Sequence, residues 1–243
     1  MLPILDNPKY EIELPILKKK VSFRPFLVKE QKILLIAADS DDSNFMIENI
    51  KQIIKNCCLT EIDVDKLSSV DLEYFFLQLR ARSVEEIVHT KYRCENRLPD
   101  GEICKNSMEV NINLLEVNVE TNGFEDDIKL TSNIGIKMRY PTIQIIEKLN
   151  SETSENDNII DKSFDAIIEC VDYIYDDDNF YYTSEVKKQE IVDFLESLSI
   201  EQFQRIEKFF TNIPKLKKEL EVICSKCGFE HKIKLEGLQS FLE

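Results

Sequence analysis

Two separated cysteine pairs constrain this chain more than any other feature. Cys94 and Cys104 have nine residues between them, and Cys224 and Cys227 have two. Each pair is followed by an alternating segment. Met108-Glu109-Val110-Asn111-Ile112-Asn113-Leu114 follows the first, and His231-Lys232-Ile233-Lys234-Leu235 follows the second. A cysteine knuckle leading into a strand, used twice, is the plan of a zinc ribbon. If both halves share one metal, the chain from 94 to 227 closes on itself. The expected ligands are Cys94, Cys104, Cys224 and Cys227, around a structural zinc with no open position. Gly228 lets the backbone turn beneath the metal, so the second pair is the stronger half. His231 is the alternative to one cysteine, and reduced or disulfide-linked pairs are the plain alternative. Lys91, Arg93, Lys105 and Lys226 are close enough in sequence to offset the excess charge of four thiolates.

Composition narrows the remaining readings. The chain has 243 residues, 31 basic and 46 acidic, for a net charge of -15. A phosphate backbone repels such a surface, so no nucleic-acid partner is expected. Lys18-Lys19-Lys20 reads as a turn between strands. Because no apolar run is long enough for a bilayer, no membrane partner is expected either. The segment Met1 to Asp6 lacks a basic region followed by an apolar one, so the expected location is the cytoplasm where the chain is made. Seven cysteines, two of them adjacent at Cys57-Cys58, make a poor disulfide framework. Cys57, Cys58 and Cys170 read as small packed hydrophobes.

Periodicity then suggests an α+β fold: an N-terminal hairpin plus helices, a split zinc-ribbon-like strand region, and a C-terminal helical insertion. The hairpin spans 10–24. Helices follow, with apolar sets Leu27, Ile33, Leu34, Ala37, Ala38, then Phe45, Met46, Ile50, Ile53, Ile54, Cys57, and a third over about 69–82. Asp39 to Ser43 offers N-caps for the second of these. Residues 86–140 read as strands, including alternation from Val110 to Val119, with Ile128–Leu130 and Ile134–Tyr140 beyond. Pro141 opens a helix, and residues 150–162 read as a polar loop. Three further helices are expected at about 163–176, 184–196 and 200–211. Asp165, Glu169, Asp172 and Asp176-Asp177-Asp178 would give the first an acidic, solvated face. An EF-hand is the thinner reading, since its spacing and loop glycine are absent. The expected domains are 1–85, then 86–150 plus 214–243, with 151–213 as the acidic helical insertion.

Catalytic signals are weak. Neither a glycine-rich phosphate loop nor a Gly-x-Ser-x-Gly elbow nor a His-Glu-x-x-His helix is present. Only two histidines occur, and His89 sits in a strand pattern. A closed four-cysteine site cannot activate water, so no enzymatic activity is expected.

Three segments carry a resemblance. One is Lys19 to Glu30 (Lys-Lys-Val-Ser-Phe-Arg-Pro-Phe-Leu-Val-Lys-Glu), followed by Leu34-Leu35. Another is Gly135-Ile136-Lys137-Met138-Arg139-Tyr140-Pro141-Thr142. The most specific is the C-terminus: Phe209-Phe210, Pro214-Lys215-Leu216, Cys224-Ser225-Lys226-Cys227-Gly228-Phe229-Glu230-His231, and Leu235 to Phe241. Together they resemble the baseplate hub assembly proteins of T-even-type contractile-tail bacteriophages, nearly end to end. The resemblance implies a non-enzymatic protein that assembles or forms part of the central hub of the tail baseplate. Its partners would be other phage hub or tail proteins, and it would act in the host cytoplasm during assembly and in the virion tail baseplate. The first cysteine pair departs from the compact Cys-x2-Cys form expected in that family. A zinc-ribbon regulatory or adaptor protein is the competing reading. Phe209-Phe210, Phe229 and Leu238-Phe241-Leu242 are candidate partner contacts, with ordinary packing as their plainer role.

Overall fold

A computed structural model describes residues 5–40, 42–120, 125–145 and 159–241. The expected loop 150–162 lies outside the described residues up to 158, whereas 159–162 are helical instead; the terminal Leu242 also lies outside them. Residues 143–145 are helical, and the rest of the helix expected after Pro141 also lies outside them. The fold is mixed α+β, with helices and several small antiparallel sheets. It divides into two compact units: Met1–Asp65, Val70–Glu120 and Lys215–Glu243 form the first, and Lys66–Ser69 with Thr121–Pro214 the second. The sequence reading divides the chain near 85, 150 and 213; the units divide it near 120 and 214.

The first unit opens with the expected hairpin, β1 (Tyr10–Glu13) against β2 (Lys20–Phe23). Helices α1 (Val28–Ala38), α2 (Ser43–Cys57) and α3 (Ser69–Ser83) follow. Asp42 caps α2 by accepting from the Asn44 and Phe45 amides, as Ncap aspartates do. The buried Asp71 carboxylate of α3 accepts from Ile16 N at 2.8 Å and Leu17 N at 2.9 Å, fixing the hairpin turn. Phe23 meets Phe75 edge to face, with centroids 5.4 Å apart. Beyond lie two longer hairpins. β3 (Ile87–Arg93) pairs with β4 (Ser107–Asn113), and β10 (Leu216–Ile223) pairs with β11 (Glu230–Glu236). The short β5 (Asn118–Val119) adds to β10. Leu77 and Ala81 of α3, Val110 and Ile112 of β4, Leu216, Leu235 and Phe241 bury together. The alternation expected through Val119 stops at Asn113, whose side chain accepts from Leu115 N at 3.0 Å and turns Leu114–Glu116 into one 3-10 turn.

The second unit corrects the sequence reading. The helix expected over 163–176 is α4 (Ile159–Cys170), and Val171–Tyr175 is instead strand β8. Val171, Tyr173, Ile174 and Tyr175 are branched or aromatic residues that suit a pleated surface. The acidic triplet Asp176-Asp177-Asp178 therefore lies in a turn, not on a helix face. Asp176 Oδ1 accepts from Asp178 N at 2.9 Å and Asn179 N at 2.8 Å, an Asx turn that closes a hairpin to β9 (Phe180–Tyr182). The supposed helical insertion thus contains half of a sheet. β6 (Asp127–Lys129), β7 (Gly135–Met138), β8 and β9 form one antiparallel sheet in that order. α5 (Lys188–Glu196) starts later than expected, and α6 (Ile200–Thr211) falls where expected, with a Ser199–Gln202 capping box. Ile136, Met138, Ile167, Ile191, Ile206 and Phe209 lie in one buried core.

Candidate metal centre

The two long hairpins of the first unit each end in a cysteine knuckle. β3 delivers Cys94 and β4 departs just after Cys104, while β10 delivers Cys224 and β11 departs after Cys227. The knuckles have one backbone plan despite their unequal spacing. Cys94 N donates to Asn106 O at 2.8 Å, and Cys224 N donates to Phe229 O at 2.9 Å. Each of these acceptors lies two residues after the second cysteine of its pair. The Cys94 carbonyl accepts from Lys105 N at 3.0 Å, and the Cys224 carbonyl from Gly228 N at 2.8 Å. Lys105 and Gly228, each one residue after the second cysteine, both have left-handed backbone, with φ of 55° and 72°. In the first pair, residues 97–103 leave and return as a small excursion. Cys104 N to Asn96 O (2.9 Å) and Leu98 N to Glu102 O (2.8 Å) close it. Cys-x9-Cys is therefore a Cys-x2-Cys knuckle with an inserted turn.

The four sulfurs converge. All Sγ atoms of Cys94, Cys104, Cys224 and Cys227 lie within 4.8 Å of one another. Cys94 and Cys227 are 3.6 Å apart, and Cys104 and Cys224 are 3.9 Å apart. A disulfide needs about 2.05 Å. Four sulfurs each about 2.3 Å from one centre stand about 3.8 Å apart, the edge of a tetrahedral thiolate site. Cys94, Cys104 and Cys224 are buried and Cys227 is half-buried. Met108 packs against the cluster, with Tyr92, Leu98 and Val222 around it.

Polar hydrogens surround the sulfurs. Asn106 Nδ2 donates to Cys224 Sγ at 3.5 Å, and Asn96 Nδ2 to Cys227 Sγ at 3.6 Å. His231 Nε2 lies 3.2 Å from Cys94 Sγ, with its ring edge-on to Phe229 at 4.8 Å. His231 thus stands beside the four sulfurs as a hydrogen-bond partner. Of the expected cations, Lys226 reaches the Cys104 carbonyl at 3.4 Å, whereas Lys91 pairs with Glu109 at 3.7 Å. Asn96 and Asn106 escaped the sequence reading. Their only signal is position, since each lies two residues after a cysteine of the first pair. The backbone amide of Cys227, aided by that of Lys226 against the cost of burial, draws the Cys224 thiol down to about 6. Burial, reinforced by the neighbouring sulfurs, pushes Cys94 up to about 12. Backbone amides thus favour the thiolate of Cys224, and burial disfavours that of Cys94.

The other singled-out residues lie elsewhere. His89 is exposed on β3, with Nδ1 2.7 Å from Asn111 Oδ1. Cys57 and Cys170 are buried, and Cys58 Sγ donates to Thr60 O at 3.1 Å. Phe209 and Phe241 are core residues, whereas Phe229 belongs to the second knuckle and is 46% exposed. Among the described residues, no helix is long and apolar enough to cross a membrane.

Comparison with known proteins places these features in a family. The profile of the family described as T4 bacteriophage base plate protein matches residues 7–243. No curated protein and no solved structure matches the chain. The match spans both units and both knuckles, and the chain belongs to the T4 bacteriophage base plate protein family.

Proposed function

We propose that this chain is a non-enzymatic protein that assembles or forms part of the central hub of a phage tail baseplate. It works through contacts with other hub and tail proteins, in the host cytoplasm during assembly and then in the virion tail. The family match over residues 7–243 carries this reading. The hub assignment leans on the segment from Cys224 to Phe241 that bears the resemblance. Co-expression with the neighbouring tail genes should yield a stable complex. A chain that stays a free monomer in that company would overturn the hub assignment.

We further propose that Cys94, Cys104, Cys224 and Cys227 hold one structural zinc, in a zinc-ribbon-like arrangement of the two long hairpins. The donor set supports this: four soft sulfurs, at 3.6 and 3.9 Å across the measured pairs, with amide donors on two of them. When bound, zinc would join the two hairpins and supply stability without an open coordination position. Protein purified without added zinc should contain close to one equivalent. Cys227→Ser should lower both metal content and thermal midpoint; zinc content unchanged by that substitution would refute the assignment.

A further inference from the structure

The outer face of the β8–β9 hairpin has no part in the metal centre. Strand register defines it. Ile128, Ile136, Ile174 and Tyr181 stand opposite one another across the four strands, and the three isoleucines are buried in the core. Neighbouring rows face the other way. One row reads Asp127, Lys137, Tyr173, Tyr182, and the other reads Lys129, Gly135, Tyr175, Phe180. The rings of Tyr173, Tyr175, Phe180 and Tyr182 touch, with neighbouring centroids 5.2 to 6.2 Å apart. Phe180 is 59% exposed and Tyr182 43%. Gly135 is the floor of this platform, because a Cβ there would stand 2.2 Å from the Tyr175 ring. The Tyr175 hydroxyl donates to Asp127 Oδ1 at 2.6 Å.

Among the described residues β9 is also the edge of its sheet. Asp176 N donates to Asn179 O and Thr183 N to Asp172 O. Those bonds bracket the ladder, so Tyr181 turns its backbone groups toward Ile174, while Phe180 and Tyr182 turn theirs outward. The Tyr182 carbonyl is taken by the Glu185 and Val186 amides. Among the described residues nothing pairs with the Phe180 amide and carbonyl, which face outward toward an added strand. Side chains of such a strand would alternate between the two faces. One set would lie over the aromatic platform. The other would point to the side where Ile174, Tyr181, Val186, Ile191 and Phe194 line a cavity of about 280 Å³. Acidic residues outnumber basic ones here: Asp127, Asp176, Asp177, Asp178, Glu185 and Glu190 stand against Lys129 and Lys137, and Lys137 is paired with Asp126 at 2.7 Å.

We propose that this edge and platform bind an extended segment of another protein in which Arg or Lys alternates with apolar residues. Aromatic faces and carboxylates both attract cations, and an apolar side chain fits the cavity. The same carboxylates repel a phosphate backbone. They also disfavour a second copy, which would bring its own Asp177, Asp178 and Glu185 to the edge. The inference rests on the baseplate reading only for the expectation that the segment belongs to a tail protein, and it shares no residue with the cysteine cluster.

The test titrates the full chain with two synthetic peptides, Thr-Arg-Val-Arg-Leu-Arg-Thr and the same sequence with Glu for each Arg. Binding is followed by tyrosine fluorescence and amide chemical shifts. The Arg peptide should bind at least tenfold more tightly than the Glu peptide, weaken with added salt, and shift the amides of Phe180 to Thr183. Phe180→Ser with Tyr182→Ser should reduce its affinity at least tenfold by removing rings. Phe180→Pro should do so by removing the edge amide. Zinc content and thermal midpoint should stay near those of the parent. Equal binding of the two peptides, response to neither, or affinity unchanged in both variants overturns the proposal. So does saturable binding of an N-acetylglucosamine oligomer to the platform without any peptide response. A chain that binds the Arg peptide yet never joins co-expressed tail proteins would sink the hub reading and leave this surface standing.

Discussion

Single residues decide how the cysteine cluster is hydrogen-bonded and how the N-terminal segment locks. Asn96 and Asn106 donate to Cys227 and Cys224, and hydrogen bonds of this kind fix ligand orientation and charge. Asn106→Ala should therefore weaken zinc retention roughly tenfold or more, measured by competition with a chromophoric chelator, while the four cysteines remain. Equal retention would mean that the amides are spectators. Glu30 is a second decisive residue. It is fully buried, takes Arg24 Nη2 at 3.0 Å, and accepts Leu27 N at 2.9 Å. Burial alone would raise its carboxyl, but Arg24, the Leu27 amide and Lys29 together hold it below its ordinary value. A lowered carboxylate stabilises the fold above its unfolded titration, about pH 4.3, and loses that contribution as pH falls through the lower folded value. Glu30→Gln should cost on the order of 2–3 kcal/mol at neutral pH in urea unfolding. The gap to the parent should close on acidification below about pH 4. A constant gap would remove the ion pair from the explanation. The sequence marks Arg24 and Glu30 within a recognisable segment, but not that they meet, because the pairing depends on where α1 starts.

At the scale of elements, the two knuckles make the sharpest prediction. Excising residues 97–103 would leave Cys94-Glu95-Asn96-Cys104-Lys105-Asn106, the spacing of Cys224 to Phe229. Since both knuckles share the same backbone bonds, the shortened chain should keep close to one equivalent of zinc. Loss of the metal would mean that the excursion itself builds the site. Gly228→Ala should destabilise the knuckle by about 1–2 kcal/mol because φ is 72° there, while Lys105→Gly should be neutral or slightly stabilising. Thermal unfolding separates the two. Gly135→Ala should also destabilise, by about 1–3 kcal/mol, since the Tyr175 ring must leave the sheet. Legibility varied with the kind of element. The first hairpin, α2, α3, β4 and α6 follow from periodicity and caps, which are local. The β8–β9 hairpin was misread because Asp165 to Ile174 also satisfies a helical pattern. Its pairing with β7, which settles the matter, joins Gly135 to Tyr175 and leaves no local mark.

For the whole molecule, the metal would tie together parts of the chain more than a hundred residues apart, with the second unit inserted between them. The buried cores lie within separate units, the cysteines with the β3–β4 and β10–β11 hairpins and Phe209 with the sheet of the second unit. Stripping zinc with a chelator should therefore expose amides of the two long hairpins to hydrogen exchange first. Amides of β7 and β8 should keep most of their protection. Uniform loss of protection over both units would show that they unfold as one.

By itself the sequence determined the chemistry: four cysteines in two pairs, an acidic surface, a strand after each knuckle, and segments specific enough to indicate a phage baseplate protein. These are properties of residue type and short spacing, which survive without a fold. Tertiary structure decided which sulfurs meet, that unequal spacings build equivalent knuckles, and that an acidic stretch is a hairpin turn with an aromatic face behind it. Those outcomes depend on pairings between distant segments, whose free energy comes from joint burial and ladder hydrogen bonds and is not carried by either partner alone.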